Sequence, residues 1–351
     1  MVGHHWGNSF FHPAKLQKTH PQLSFFIKSW HAPQLFLYFC TIINPKNCRT
    51  MKMEGRRESS NVEDRRGQKA AVAAGGVGIG GILIYLLISL FSGNSGQGGS
   101  GSSIGEILSQ RMSSQSGQDQ TQQVEYTEEE WEKELRIFSS QILAGTEDVW
   151  TAQFKKMGKT YNPPKMAFVA KGDRFQTGCG VATSEGGPFY CSADQTVYLD
   201  LEFFRSMKSQ IGADGDFAYA YVIAHEVGHH VQNQLGILSQ AHEKMARAGK
   251  DTKEYNETSV RLELQADFFA GVWAYHDNKM FNSLEDGDIE EALNAAAKIG
   301  DDYLQKQAYG RTMPETFNHG TSAQRSRWLK KGISTGDINQ GDTFSPSYSS
   351  L

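Results

Sequence analysis

This sequence has few cysteines and no large excess of either positive or negative charge. Only four of the 351 residues are cysteine, too few for a scaffold held together by disulfides. The formal net charge is −4, so we expect no nucleic-acid or other polyelectrolyte partner. No segment repeats at a fixed period, which excludes a solenoid or a propeller. The hydrophobic content of 38% fits one sizeable folded domain with appendages.

Residues 1–52 differ in composition from the rest of the chain. They are rich in aromatic residues, histidine and proline, and neither a helical nor a strand period fits them. The apolar stretch 35–43 is too short to span a bilayer, and no small-residue cleavage site follows it. We interpret residues 1–52 as a spurious extension, with translation starting at Met51 or Met53, or else as a disordered extension.

The longest apolar run, residues 70–91, reads AAVAAGGVGIGGILIYLLISLF and carries no charge. About twenty residues at 1.5 Å each match the hydrocarbon core of a bilayer. Glycine is better tolerated in membrane helices than in helices buried within soluble proteins, so we predict one transmembrane helix. The short basic segment 53–69 precedes this run, whereas the first cation after it is Arg111. The distribution of cations predicts a cytoplasmic N-terminus and an extracytoplasmic domain, with the lipid bilayer as a partner at the cell membrane.

The remaining chain divides into three parts. Residues 92–124 are rich in glycine, serine and glutamine, which is typical of a flexible linker. Residues 125–335 contain short strand-like runs and then a helical pattern almost to their end. This order predicts an α+β domain, mainly helical with a small antiparallel sheet. Residues 336–351 are polar, and we expect a disordered tail.

The stretch AYVIAHEVGHHVQ, residues 220–232, places three histidines and a glutamate in an apolar run. Residues four apart share one face of a helix, so His225 and His229 present two imidazoles together, a spacing that suits a tetrahedral zinc ion. Glu226 points about 100° around the helix, where it can accept a proton from a zinc-bound water and deliver it to a leaving amine. His230 faces away from the pair. The pattern predicts one Zn²⁺ per chain, with Glu226 as the catalytic base.

A catalytic zinc site needs a third protein ligand. The segment SVRLELQADFFAGVWAY carries Glu263 and Asp267 four residues apart on a face of small residues. We expect Glu263 to be the third ligand and Asp267 to hold a ligand imidazole through its second nitrogen. The rival third ligand is His319 in FNHGTSAQRSRW. If it is not a ligand, His319 either orients the substrate and stabilises the transition state or simply lies at a helix cap.

The order of these motifs resembles a known family. The chain contains CGVATSEGGPFYCSADQTVYLDLEFF, AHEVGHHVQ, RLELQADFFAGVWA and HGTSAQRSRW, after an apolar run and a Gly/Ser-rich tether. From about residue 53 to residue 331 this arrangement resembles the neutral zinc metallopeptidase family of bacteria, which is similar to the gluzincins. The resemblance implies a zincin-like domain and a membrane-bound endopeptidase acting on peptides or proteins. By analogy with zincins, TVYLD, residues 196–200, is expected to bind substrate as an added strand.

Cys179 and Cys191 lie among the strand-like runs of the folded domain. If that domain is extracytoplasmic, both thiols are free to oxidise, and we predict a disulfide between them. Two buried free thiols are the alternative.

The leading functional hypothesis is a membrane-anchored zinc metallopeptidase that hydrolyses peptide bonds. The alternative is a non-catalytic, zinc-stabilised binding or adaptor module with the same anchor. Glu226 argues against that alternative, because a structural zinc site needs no base and usually closes with four protein ligands. A third possibility is that the glycine-rich run dimerises in the membrane through its small residues. The sequence leaves the substrate and the oligomeric state open.

Overall fold

The computed structural model describes two ranges of the chain, residues 51–67 and 126–351. Apart from its last two residues, the predicted extension 1–52 lies outside these ranges. The predicted span 70–91 and the predicted linker 92–124 also lie outside them.

The described chain is mainly helical, as the sequence predicts. The helices are α1 (Glu130–Lys156), α2 (Glu202–Ser206), α3 (Asp216–Gln234), α4 (Ile237–Ala248), α5 (Lys253–Phe281), α6 (Asp288–Lys298), α7 (Asp301–Tyr309) and α8 (Ser322–Thr335). The strands are β1 (Val62–Asp64), β2 (Lys165–Val169), β3 (Arg174–Thr177), β4 (Gly180–Thr183), β5 (Phe189–Cys191) and β6 (Thr196–Asp200). A π-helical turn, Met207–Ile211, follows α2.

The main sheet is mixed, which corrects the prediction of a small antiparallel sheet. Its four strands lie in the order β1-β2-β6-β5. Strand β2 pairs in parallel with both β1 and β6, whereas β5 pairs with β6 in the antiparallel sense. Strands β3 and β4 form a separate antiparallel pair. Almost every residue of β2 and β6 is buried, as is typical of parallel strands covered on both faces. The parallel strands are far apart in the sequence, so turn residues beside them do not predict that they pair.

Strand β6 is the TVYLD segment that was expected to bind substrate. It lies between β2 and β5 and pairs with both of them. Because a strand can be added only at an edge, this expectation is wrong. The edge strand on this side of the sheet is β5.

Helices α3 and α5 carry the predicted zinc ligands and pack directly against each other. The side chain of Thr252 caps α5 by accepting a backbone hydrogen bond at the start of the helix. Gly228, inside the H-E-x-x-H stretch, allows the two backbones to approach closely. A Cβ at Gly228 would lie 2.9 Å from the carbonyl oxygen of Ala266 in α5, so a larger residue would push the helices apart.

Residues 51–67 pack against the same body as residues 126–351. Strand β1 forms one edge of the main sheet beside β2. Arg56 forms an almost fully buried ion pair with Asp277 of α5, with an N–O distance of 2.6 Å. Arg66 pairs with Glu128 at 2.6 Å and lies over the ring of Tyr126. The two described ranges therefore form one compact unit.

This packing conflicts with the predicted topology. That topology places the basic segment 53–69 and the domain 125–335 on opposite sides of a bilayer, but segments that pair within one sheet lie on the same side. Within residues 51–67 and 126–351, no helix has both the length and the apolar character needed to cross a membrane. We therefore correct two predictions, the transmembrane helix ahead of the domain and the single-pass localisation at the cell membrane.

Residues 336–351, here called the C-terminal segment, pack against the domain, whereas their polar composition suggests a disordered tail. The side chains of Thr343 and Leu351 are buried. The Thr343 hydroxyl donates to the carbonyl of Arg261 in α5 at 2.7 Å. The Gln265 side chain, also in α5, donates to the carbonyl of Gly341 at 2.7 Å. The segment is thus tied to the helix that carries Glu263.

The structure joins Cys179 and Cys191 by a disulfide that connects the β3–β4 turn to the end of β5, with a sequence separation of 12. Closing a loop of this length reduces the entropy of the unfolded chain, which corresponds to about 3 kcal/mol of stability. We expect reduction to lower the free energy of unfolding by about this amount, measured by urea denaturation with and without a reductant. The paired variant Cys179→Ser with Cys191→Ser should not respond to the reductant. An unchanged unfolding midpoint for the reduced wild-type protein would contradict this expectation.

Asp200, at the end of β6, gives the stability a pH dependence. Its carboxylate accepts a hydrogen bond from the Glu202 backbone at 3.0 Å, but burial raises its pKa from 3.8 to about 7. The folded state disfavours the ionised form, so this residue's contribution to stability falls as the pH rises from about 4 to about 7. Asp200→Asn keeps the acceptor oxygen and removes the charge. At about pH 8 we expect the variant to be more stable than wild type by about 2–4 kcal/mol, with no difference near pH 4. Denaturation curves with the same pH dependence for both proteins would show that Asp200 is not responsible.

Candidate metal centre

Two helices bring His225, His229 and Glu263 together. The histidines lie one turn apart on α3, and Glu263 faces them from α5. The Nε2 atom of His225 lies 3.2 Å from Glu263 Oε2, and the Nε2 atom of His229 lies 3.4 Å from Glu263 Oε1. One ligand atom from each of the three residues lies within 4.8 Å of the other two. The three predicted ligands therefore form one cluster.

The spacing of these donor atoms fits zinc. Bonds of about 2.0–2.1 Å in a tetrahedral site separate neighbouring ligand atoms by about 3.3–3.4 Å. The N–O distances of 3.2 and 3.4 Å, which involve the two different oxygens of Glu263, are each close to that separation. Two imidazoles and one carboxylate are also the protein donor set of many catalytic zinc sites, which leave one position open.

The electrostatics of the cluster favour a cation. Burial disfavours charge on Glu263, but the attraction and hydrogen bonds of the two histidines outweigh burial and hold the pKa of Glu263 well below its ordinary value. Burial likewise opposes charge on His225 and His229, yet nearby carboxylates raise the pKa of both. The negative Glu263 carboxylate therefore favours positive charge beside it. A metal ion bound by the two imidazoles can supply that charge in place of protons.

His225 is oriented by a buried ionic network behind it. Its Nδ1 atom donates to Asp267 Oδ1 at 2.8 Å. Arg325, from α8, contacts both oxygens of Asp267 at 2.9 Å, and the Tyr221 hydroxyl donates to Oδ1 at 2.6 Å. Burial opposes ionisation of Asp267, but the attraction of Arg325 and His225 outweighs it and lowers the pKa of Asp267. The carboxylate stays ionised and accepts the Nδ1 proton, which leaves the Nε2 lone pair of His225 free for a metal.

His229 is oriented by a neutral partner. Its Nδ1 atom lies 2.9 Å from the side-chain oxygen of Gln232, one turn later on α3. Gln232 is fully buried. The two predicted histidine ligands therefore have Nδ1 partners of different chemistry, a carboxylate for His225 and an amide for His229.

Glu226 lies beside the cluster and outside the group of three ligands. Its side chain is buried, with 9% of its surface exposed. Burial raises the pKa of Glu226, while His225 and His229 act in the opposite direction. The backbone of Tyr190, in edge strand β5, lies close enough to Glu226 to oppose the effect of burial on the pKa of this carboxyl. Glu226 is thus held between the predicted ligands and the edge of the sheet.

His319 lies close to the cluster without joining it. Its ring lies near enough to contribute electrostatically to the low pKa of Glu263, but the group of three ligand atoms found in the described ranges does not include it. Asp301 anchors the loop, because its Oδ2 atom accepts backbone hydrogen bonds from Asn318, His319 and Gly320 at 2.8–3.0 Å. The His319 ring also contacts Asp301 Oδ1 at 3.3 Å.

Sequence reasoning missed several residues of this site. Gln232 lies three residues after His229, so the helical spacing could have revealed it. Arg325 lies inside the HGTSAQRSRW motif but received no role, because nothing local pairs it with Asp267. Asp301 and Tyr190 reach the site only through the tertiary fold.

Comparison with known proteins agrees with this geometry. Residues 51–344 match the family described as "Putative neutral zinc metallopeptidase". The chain is 49% identical over 302 residues to "Uncharacterized protein YpfJ" of Escherichia coli (strain K12), which covers 85% of this chain and 100% of that protein. It is 45% identical over 204 residues to "Uncharacterized protein Mb2605" of Mycobacterium bovis, which covers 55% of this chain and 67% of that protein. No solved structure matches the chain significantly. The family match spans most of the chain and confirms the resemblance seen in the motifs, so the chain belongs to the neutral zinc metallopeptidase family.

Proposed function

We propose that this protein is a zinc-dependent endopeptidase that hydrolyses peptide bonds. The observation that carries the proposal is the position of Glu226. This buried carboxylate lies directly beside three clustered metal-binding side chains and is not one of them. A structural zinc site has no use for such a residue and usually takes four protein ligands. The non-catalytic adaptor module is therefore the weaker hypothesis.

His225, His229 and Glu263 would hold one zinc ion. When bound, zinc polarises a substrate carbonyl and lowers the pKa of a water molecule so that it can attack at neutral pH. Glu226 accepts the proton that the water loses as its oxygen attacks the carbonyl carbon. The same carboxylic acid then returns the proton to the nitrogen of the leaving amine as the C–N bond breaks. The products are a free carboxylate and a free amine.

His319 would stabilise the negative charge that develops on the carbonyl oxygen. Asp301 fixes the loop through three backbone hydrogen bonds, so the ring is held before substrate arrives. Donors that are already in position stabilise a transition state without the cost of reorganisation.

Strand β5 would bind the substrate backbone. It is the edge strand beside α3, and the backbone of its central residue, Tyr190, lies close enough to Glu226 to favour the ionised form of that carboxyl. An extended peptide paired with this edge would bring its scissile bond close to Glu226. Main-chain pairing makes few demands on side chains, so we expect broad sequence tolerance in an unfolded substrate.

The test is cleavage of an unfolded protein such as casein by the purified full-length protein. We expect cleavage that a zinc chelator abolishes, that added zinc restores, and that a serine-protease inhibitor leaves unchanged. Cleavage that survives complete zinc removal would overturn the proposal. So would the absence of any cleavage of casein or of an unbiased peptide mixture by zinc-loaded protein.

A further inference from the structure

A chain of buried amides connects His229 to the C-terminal segment. The His229 Nδ1 atom lies 2.9 Å from the Gln232 side-chain oxygen. The Gln232 side-chain nitrogen donates to the Leu262 carbonyl at 2.8 Å and to the Gln265 side-chain oxygen at 3.1 Å. The Gln265 side-chain nitrogen donates to the Gly341 carbonyl at 2.7 Å. This amide chain spans α3, α5 and the C-terminal segment.

The chemistry of its ends fixes the direction of every hydrogen bond in the amide chain. A backbone carbonyl can only accept, so the Gln265 nitrogen must face Gly341 and the Gln265 oxygen must face Gln232. The Gln232 nitrogen must likewise face Leu262 and Gln265, which commits both of its protons. The Gln232 oxygen is therefore left to accept from His229 Nδ1. His229 then carries its proton on Nδ1, and Nε2 keeps the lone pair that a metal needs.

An amide needs this support, whereas a carboxylate does not. Asp267 can only accept when ionised, so it selects the tautomer of His225 without help. The side-chain amide of a glutamine can rotate by about 180° and present its nitrogen in place of its oxygen. That orientation would select the wrong tautomer of the histidine. Gln232 and Gln265 have 0% and 4% of their surface exposed, so water does not readily replace a missing partner.

We propose that the C-terminal segment sets the tautomer and orientation of His229 through Gln265 and Gln232, which act as positioning residues for the metal site. The inference rests on His229 being a metal ligand, but not on peptidase activity. It gives residues 336–351 a role in the metal centre, although they lie far from it in sequence.

The central variant is Gln265→Leu, which removes one of the two acceptors of the Gln232 nitrogen, leaving the Leu262 carbonyl, and also removes the donor to Gly341. Its matched control is Gln153→Leu in α1, which changes another buried glutamine whose side-chain oxygen contacts Lys156. Partners of metal ligands typically contribute about 10–100-fold to metal affinity, and we expect Gln265→Leu to lose about tenfold. Gln153→Leu should bind zinc like wild type. Competition with a coloured chelator measures the affinity without any reference to activity.

The tautomer itself is read by ¹⁵N NMR of histidine-labelled, zinc-free protein, at a pH high enough for the ring to be neutral. Wild type should show His229 protonated on Nδ1 alone, and Gln265→Leu should show a mixture of tautomers. If Gln265→Leu fails to fold, a chain ending at Gln340, which lacks the Gly341 carbonyl, replaces it in both measurements.

Two results would overturn the proposal. The first is a single Nδ1 tautomer together with wild-type zinc affinity in Gln265→Leu or in the chain ending at Gln340. The second is an equal loss of zinc affinity in Gln153→Leu, which would indicate general destabilisation. A protein that meets all the expectations yet cleaves nothing would support this inference and refute the proposed peptidase activity.

Discussion

Glu226→Gln is expected to retain zinc and to lose peptide cleavage by about 10²–10⁴-fold, the usual contribution of a general acid–base group. The amide occupies nearly the same volume as the carboxylate. It cannot take a proton from the attacking water. Because the Glu226 side chain lies outside the ligand cluster, its replacement leaves all three proposed ligands in place.

Zinc content and the rate of casein cleavage are measured together for this variant. Glu134→Gln, an exposed glutamate in α1, is the matched control and should behave like wild type in both assays. Loss of zinc from Glu226→Gln would make Glu226 a ligand and would remove the proposed base. Retained cleavage would show that another group moves the proton.

Glu263→Ala is expected to lose both zinc and activity. Changes to partners of metal ligands typically cost about 10–100-fold in metal affinity, so removal of a ligand should cost more than about 100-fold. The variant also removes the carboxylate that faces the Nε2 atoms of His225 and His229 at 3.2 and 3.4 Å. We expect zinc content near zero after dialysis, and cleavage below the limit of detection.

Two comparisons sharpen this result. Glu254→Ala changes an exposed glutamate on the same helix and should keep zinc and activity. His319→Ala should keep zinc but lose about 10²–10³-fold in cleavage rate, the usual effect of removing a donor that stabilises a developing charge. The opposite pattern, with zinc retained by Glu263→Ala and lost by His319→Ala, would make His319 the third ligand.

The sequence predicts the site better than it predicts the architecture, because the site residues lie at helical spacing along the chain. Residues four apart on a helix share one face, so His225 with His229 and Glu263 with Asp267 are each readable from the chain. A single contact between α3 and α5 then brings the two pairs together, and the small residues Gly228 and Ala266 indicate where these helices can approach closely. The partners that reach the site from other elements, such as Arg325, carry no comparable pattern.

Strand β1 and the C-terminal segment show where local reasoning fails. The sequence of β1, VED, has three residues and two charges, so neither alternation nor apolar character predicts a strand. It forms because the edge of β2 offers backbone partners more than 100 residues later in the chain. The polar C-terminal segment is held by specific hydrogen bonds, such as those from the buried Gln265 side chain to the Gly341 carbonyl and from the Thr343 hydroxyl to the Arg261 carbonyl, and composition does not reveal them. The prediction of a domain separated from residues 53–69 by a bilayer failed for the same reason, because the sheet pairing was invisible.

The central claim is that His225, His229 and Glu263 hold one zinc ion while Glu226 stays free of it. Anomalous diffraction at the zinc edge, from crystals of the zinc-loaded protein, tests this most directly. We expect a single peak about 2.0–2.2 Å from both Nε2 atoms and from a Glu263 oxygen, with the Glu226 carboxylate outside the coordination sphere. A peak bonded to Glu226 or His319 in place of Glu263, or no peak at this cluster, would contradict the account.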